Sequence, residues 1–199
     1  MEFIVSRYNQ DVTWLGEYTP SCTLYDRSEQ PLAGAFIVSN LGTDIADKLY
    51  YIITNYDRLP AVAIYTKANL FKYITKEEFN AVKDNQHFTP LLTMNHRTYK
   101  DDSGKDVCYY KDGIYWEINN GWYLNSHPVK HDPREVMETL GIAGMEYVPF
   151  APGSNYILTA ESIRKHPVEF YHKLLNYVTW AVYPGEAQII ERGLYTIFK

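Results

Sequence analysis

Apolar positions along this chain fall into two kinds of run. Residues 2–6 (EFIVS) and 61–66 (AVAIYT) are short, continuous and rich in β-branched side chains, the pattern of strands buried on both faces. CTLYD (22–26) and FIVSN (36–40) read as two more strands, joined by a connection rich in Gly, Pro and Ser. From Thr43 the pattern changes period. TDIADKLYYIITNYDRL places Ile45, Leu49, Ile52, Ile53 and Tyr56 on one helical face, with Asn40 opening the turn, Gly42 just before the helix and Leu59-Pro60 ending it. Residues 36–66 therefore predict a strand-helix-strand unit, which favours parallel pairing with a ligand at the strands' carboxyl ends. The polar RYNQD after the first strand predicts a loop over its end, with Asp11 as N-cap of a short helix in VTWLGEY.

The second half is less regular. A capped acidic helix is expected around TKEEFNAVKD, and Gly and Asp in YKDDSGKD mark a turn between extended pieces. VCYYKDG, IYWEINN and GWYLNS predict a small meander of short strands. HDPREVMETLG predicts a helix with Asp132 near its cap, Pro133 at its first position and Gly141 at its end. Strands at YVPF and YILT, a helix over 160–175 and an amphipathic helix over 184–198 complete the pattern. With no repeat, low-complexity tract or linker, residues 1–199 read as one α/β domain, a mixed sheet flanked by helices.

Composition narrows the function classes. A hydrophobic share of 46% and a charged share of 22% are ordinary for a globular chain of 199 residues. The net charge of −5, without a run of Lys or Arg, argues against a nucleic-acid partner. No apolar stretch is long enough to span a bilayer, and the first residues enter a strand pattern without a signal-peptide layout. Two cysteines, Cys22 and Cys108, make no disulfide framework and read as reduced, which points to the cytoplasm, or to a host cell's cytoplasm if the chain is viral. The 19 Tyr and 4 Trp suit sugar stacking and equally suit an ordinary core.

Strong motifs are absent: there is no phosphate-binding Gly-rich loop with its Lys, no HExxH, no CxxC pair and no GxSxG. Asp101 and Asp102, with Asp106, could hold a divalent cation through carboxylate oxygens, or simply form a solvated turn. His127 and His131 are four apart, but Pro128 between them spoils a helical metal face. Glu186 and Glu191, five apart, do not share a helix face as a paired-carboxylate hydrolase would need.

Three segments resemble a family of small glycosyltransferase-like domains found in fungi, bacteria and large DNA viruses and labelled as being of unknown function. VSRYNQDVTWL is similar to that family's first strand and its turn ending in Trp-Leu. SNLGTDIADKLYYIITNYDRLPAVAIYTKAN is similar to its Asn-x-Gly-x-acid turn, Tyr-rich helix, Tyr-Asp-x-Leu-Pro stop and following strand. FAPGSNYILTAESIRKHPVEFYHKLL and IIERGLYTIF resemble its closing strand and its Glu-containing last helix. The resemblance covers somewhat under half the chain, in the family's order. It implies a GT-A-like, Rossmann-like fold, a nucleotide-sugar donor and a glycan or other hydroxyl acceptor. The chain departs from the pattern after the third strand, where Thr66-Lys67-Ala68-Asn69 stands in place of a Gln-Gly and no Asp-x-Asp metal motif occurs.

On this reading Ser6, Arg7, Tyr8, Asn40, Gly42, Asp44, Lys48 and Lys67 hold the donor nucleotide, with Lys67 replacing a metal. Mn or Mg remains open as a cofactor. Ser154 and Asn155 hydrogen-bond sugar or acceptor, and the resemblance places Glu191 in the closing helix as the general base. Arg7 and Lys67 can equally be surface charge, Asp44 a favourable charge in the first helical turn, and Glu191 an ordinary helix-paired acid. Two rivals stand beside the transferase: a non-enzymatic carbohydrate-binding module, and a metal-dependent hydrolase using Asp101, Asp102 and the His127/His131 pair.

Overall fold

A computed structural model describes residues 1–20, 22–93 and 98–199. The chain opens with β1 (Glu2–Arg7), passes a 3-10 turn over Thr13–Glu17, and continues through β2 (Thr23–Asp26) and β3 (Phe36–Ile37) to helix α1 (Thr43–Asn55) and β4 (Val62–Lys67). Next come α2 (Lys76–Val82) and β5 (Thr89–Pro90), then β6 (Tyr99–Lys100), β7 (Asp106–Lys111) and β8 (Ile114–Ile118). After α3 (Pro133–Thr139), β9 (Tyr147–Pro149) and β10 (Tyr156–Thr159) lead into α4 (Ala160–Arg164), α5 (Val168–Val178) and α6 (Gly185–Phe198).

The main sheet has the order β3-β2-β1-β4-β10-β5. Its first four strands are parallel, and β10 runs antiparallel to both β4 and β5. Central strands buried on both faces explain the continuous apolar runs. Ile4 and Tyr65 face a cluster that includes Ile45, Leu49 and Ile52 of α1, Leu174 of α5 and Ile190 of α6. On the other face Phe3, Val5 and Ile64 pack with Trp14, Leu15 and Phe79 of α2. The strand order reverses direction between β1 and β4, because the chain leaves β1 toward β2 and β3 and returns over α1 to β4. At such a switch point adjacent loops diverge and leave a crevice at the carboxyl ends of the strands.

Several expectations need correction. The strands form two sheets, since β6-β7-β8-β9 is a separate antiparallel sheet. GWYLNS is a 3-10 turn, Trp122–Ser126, because Gly121 at φ 74° turns the chain out of the strand direction and buries Tyr123. YVPF supplies the fourth strand of that small sheet instead. The expected helix over 160–175 is two helices, α4 and α5, interrupted at Pro167, which lacks an N–H and disfavours helical geometry in the residue before it. FIVSN pairs only through Phe36 and Ile37, which sit opposite the last two residues of β2. Asp11 caps a turn rather than an α-helix, its carboxylate accepting from Thr13 N at 3.0 Å.

The capping predictions hold where the side-chain chemistry is specific. Thr75 and Glu78 form a reciprocal capping box on α2, and Asp132 accepts from Arg134 N ahead of α3, with Pro133 in its first turn. Among the described residues no helix is long and apolar enough to cross a membrane.

Candidate functional site

A cleft of ≈ 290 Å³ lies at the switch point, at the small end of the roughly 300–1,000 Å³ typical of ligand clefts. Its walls come from the carboxyl ends of β1, β2 and β4, the first turn of α1, and α6. Ser6, Arg7 and Tyr8 line it at the end of β1 and just past it, Arg27 from just beyond β2, Lys67 from the end of β4 and Asn69 from the turn that follows. Asn40, Thr43 and Asp44 close one side, and Gln188 and Glu191 of α6 close the other. Tyr73 and Tyr183 also line it, so with Tyr8 three tyrosines contribute to its walls.

The parallel sheet determines which side chains reach this place. β1 and β4 are in register from Glu2 opposite Ala63 to Ser6 opposite Lys67, which sets Arg7 and Lys67 at neighbouring strand ends. Asn155, fully buried, fixes the end of β4, accepting from Thr66 Oγ1 at 3.0 Å and from Lys67 N at 2.9 Å. Gly42 starts α1 with φ 70° and its N–H on Ala181 O at 2.8 Å. A Cβ there would lie 2.8 Å from Ala46 Cβ and 3.0 Å from Val178 Cγ2, so Gly42 lets α1 approach α5 and does not face the cleft.

Charge in the cleft is organised in pairs. Arg7 binds Asp26 and Ser28 Oγ through Nη1, and Gln10 O through Nε at 2.9 Å, which ties the loop after β1 to the end of β2. Arg27 pairs with Asp47 of α1. Asp44 is the most heavily engaged acid: it pairs with Lys48, accepts from Ser154 Oγ at 2.5 Å and lies 3.2 Å from Lys67 Nζ. Burial raises the Asp44 carboxyl, but the Lys48 and Lys67 ammoniums outweigh it and hold the group well below the usual carboxylate range. Burial likewise lowers Lys67, and the Asp44 and Glu191 carboxylates reverse this and hold its ammonium above the usual lysine value. Lys48 goes the other way, lowered by burial despite Asp44. Glu191 Oε1 accepts from Gly153 N at 2.9 Å and lies 3.8 Å from Lys67 Nζ. Lys67 thus stands between two acids, with its Nζ 5.7 Å from the centre of the Tyr73 ring.

Ser6, Arg7, Tyr8, Asn40, Asp44, Lys67 and Glu191 are brought together in the cleft wall. Lys48, Ser154 and Asn155 are not: all three are buried beneath it, where they support Asp44 and the end of β4. The sequence reading assigns Lys48 to the nucleotide and Ser154 and Asn155 to the sugar or acceptor; in the fold none of the three lines the cleft. Ser154 has φ 53°, a left-handed conformation held by its bonds to Lys48, Asp44 and Gly153 O. Sequence reasoning omitted Arg27, although the parallel-strand rule that singled out Arg7 applies equally to the residue after β2. Tyr73 and Tyr183 carried no signal, because among 19 Tyr nothing in their local sequence sets these two apart.

The hydrolase constellation does not assemble. Asp101 Oδ1 accepts from Ser103 N at 2.9 Å and Lys105 N at 3.0 Å, closing the turn between β6 and β7, and Asp102 is exposed in the same turn. His131 Nδ1 lies 3.0 Å from Glu186 Oε1, which also accepts the Lys130 and His131 amides. Among the described residues no group of three or more His, Cys, Asp or Glu is placed to hold a metal ion.

The fold and site define a mixed α/β protein with an ion-paired, tyrosine-lined cleft at the carboxyl ends of parallel strands. Compared with protein-family models, with curated proteins and with solved structures, the chain matches none.

Proposed function

We propose that the cleft binds a nucleotide sugar and that the protein transfers the sugar to a hydroxyl acceptor, as a GT-A-like glycosyltransferase. The observation that supports this reading best is the place of the cleft: a switch point of parallel strands ordered β3-β2-β1-β4, lined by Lys67, Glu191 and three tyrosines. Such a crevice suits a nucleotide. The rings of Tyr8, Tyr73 and Tyr183 offer flat surfaces for a base or a sugar face.

In the proposed reaction Glu191 takes the proton of the acceptor hydroxyl, whose oxygen attacks the anomeric carbon as the phosphate leaves. The Gly153 amide fixes one carboxylate oxygen of Glu191 at 2.9 Å. The leaving phosphate develops charge, and Lys67 is the cation placed to meet it, with support from the amides of the first turn of α1. The side chains present fit a Mn or Mg ion poorly. Asp44 and Glu191 both face the Lys67 ammonium, and no third acidic or imidazole ligand joins them among the described residues. No step is therefore assigned to a metal.

A second reading is favoured by the pairing of charges. Arg7, Arg27, Lys48 and Lys67 are matched by Asp26, Asp47, Asp44 and Glu191, so the cleft has little net charge and suits a neutral polyol. This is the site of a carbohydrate-binding module. Thermal unfolding against nucleotide sugars, nucleoside phosphates and free glycans, each with and without Mn, separates the two. A ligand at ~100 times its Kd adds roughly 2.7 kcal/mol to the folded state. A shift with a nucleotide sugar supports the transferase; shifts with free glycans alone support the binding module and overturn it.

A further inference from the structure

The donor's charge can be narrowed, on the condition that the transferase reading holds. Arg7, Arg27 and Lys67 line the cleft and Lys48 lies beneath it, and three of these four cations are already neutralised by acids with little exposure: Arg7 by Asp26, Arg27 by Asp47 and Lys48 by Asp44. Of the four, only Lys67 is shared at longer range, 3.2 Å from Asp44 and 3.8 Å from Glu191. Its side chain is also the most exposed of the four, at 24%. Asp44 does not depend on it, since Lys48 and Ser154 remain bonded to the other carboxylate oxygen. Lys67 is therefore the cation of the four placed to share a ligand's charge, and among the described residues no third carboxylate or imidazole joins Asp44 and Glu191 to recruit a divalent ion.

We propose that the donor is a glycosyl phosphodiester bearing a single negative charge, a nucleoside-monophosphate sugar. A diphosphate sugar brings one charge more and departs with a further one, and an uncompensated charge in a partly buried site is costly. With the single-charge donor the reaction balances across Lys67. The acceptor oxygen bonds to the anomeric carbon while the bond from that carbon to the phosphate oxygen breaks, its electron pair staying on the phosphate. The acceptor proton passes to Glu191. The phosphate gains one negative charge as Glu191 loses one, so Lys67 exchanges one anionic partner for another and the total charge around it is unchanged. A prenyl phosphate sugar shares the same phosphodiester, but the tyrosine lining favours the flat base of a nucleoside as the second ester.

Calorimetric titration of the full chain in EDTA tests this, using a nucleoside-monophosphate sugar, a nucleoside-diphosphate sugar and a short prenyl-monophosphate sugar. The monophosphate sugar is expected to bind about tenfold or more tighter than the diphosphate sugar. Lys67→Met should abolish the preference and Lys67→Arg retain it, with unfolding midpoints confirming that both variants fold. Diphosphate binding that is as tight in EDTA, or that appears only with Mn, overturns the single-charge donor and leaves the transferase standing. Binding of the prenyl ester in place of the nucleoside ester keeps the single charge and overturns the nucleoside. If none of the three sugars binds, both the donor assignment and the transferase reading fall.

Discussion

Two consecutive residues of α6 treat charge in opposite ways. Arg192 turns toward the small sheet, where its Nε bonds Glu117 Oε1 at 2.7 Å and its guanidinium lies 3.5 Å from the centre of the Tyr123 ring and 4.8 Å from that of Phe150. Glu191 turns toward the cleft, with one amide donor and a cation at 3.8 Å. The first arrangement is buried on both sides, with side chains 5% and 7% exposed, and leaves the ions no freedom. The second is open to a ligand. A buried ion pair sets the rotation of a helix, and the neighbouring acid lines the cleft with a cation at longer range.

The comparison can be broken most severely at the locked pair. Arg192→Met leaves Glu117 buried and alone, and denaturant unfolding should show a loss of ~3–5 kcal/mol. Arg192→Met combined with Glu117→Met should recover much of it, because apolar side chains of similar volume can replace a buried pair. On the cleft side Asp44→Asn should cost ~2–3 kcal/mol near neutral pH. The sign follows from the Asp44 carboxyl lying below its unfolded value: the unfolded chain takes up this proton first. The stabilisation is full above about pH 4 and is lost as pH falls toward the folded-state value. Wild-type protein should therefore lose stability more steeply than Asp44→Asn as pH is lowered through that window.

Gly153→Ala sharpens the contrast at the support of Glu191. Gly153 has φ 89°, and a Cβ would lie 2.7 Å from the Tyr73 ring. A cost of ~1–3 kcal/mol is expected in unfolding experiments, with Tyr73 displaced from the cleft and ligand affinity reduced. At the bottom of the scale is the surface pair of Glu17 and Lys76, 2.9 Å apart with side chains 56% and 53% exposed. Glu17→Gln should leave the unfolding midpoint unchanged within error.

How much of this was legible follows from the range of each determinant. The central strands β1 and β4, the long helix α1 and the caps at Thr75 and Asp132 depend on neighbouring residues, and the sequence shows them. The gathering of Arg7, Asp44 and Lys67 was legible too, because parallel strand ends are a general place for ligands. The second sheet was not, since strand partners such as Trp116 and Pro149 lie far apart in sequence and alternation does not say which strands pair. Nor was the burial of Ser154 and Asn155 beneath the cleft. A turn written PFAPGSN is polar and small, the composition of an exposed loop, and only α1 and β4 closing over it make its side chains internal. Arg192 gave no sign either, because a charged residue in an amphipathic helix reads as solvent-facing until aromatic rings are placed around it.

The most direct measurement is sugar transfer from a panel of nucleotide sugars by the wild-type protein and by Glu191→Gln, with donor binding followed in parallel. The expected result is turnover of at least one donor by wild type and a roughly 10²–10⁴-fold lower rate in Glu191→Gln with donor binding retained. Absence of turnover with every donor, or a Glu191→Gln variant as active as wild type, would contradict the assignment of this cleft to glycosyl transfer.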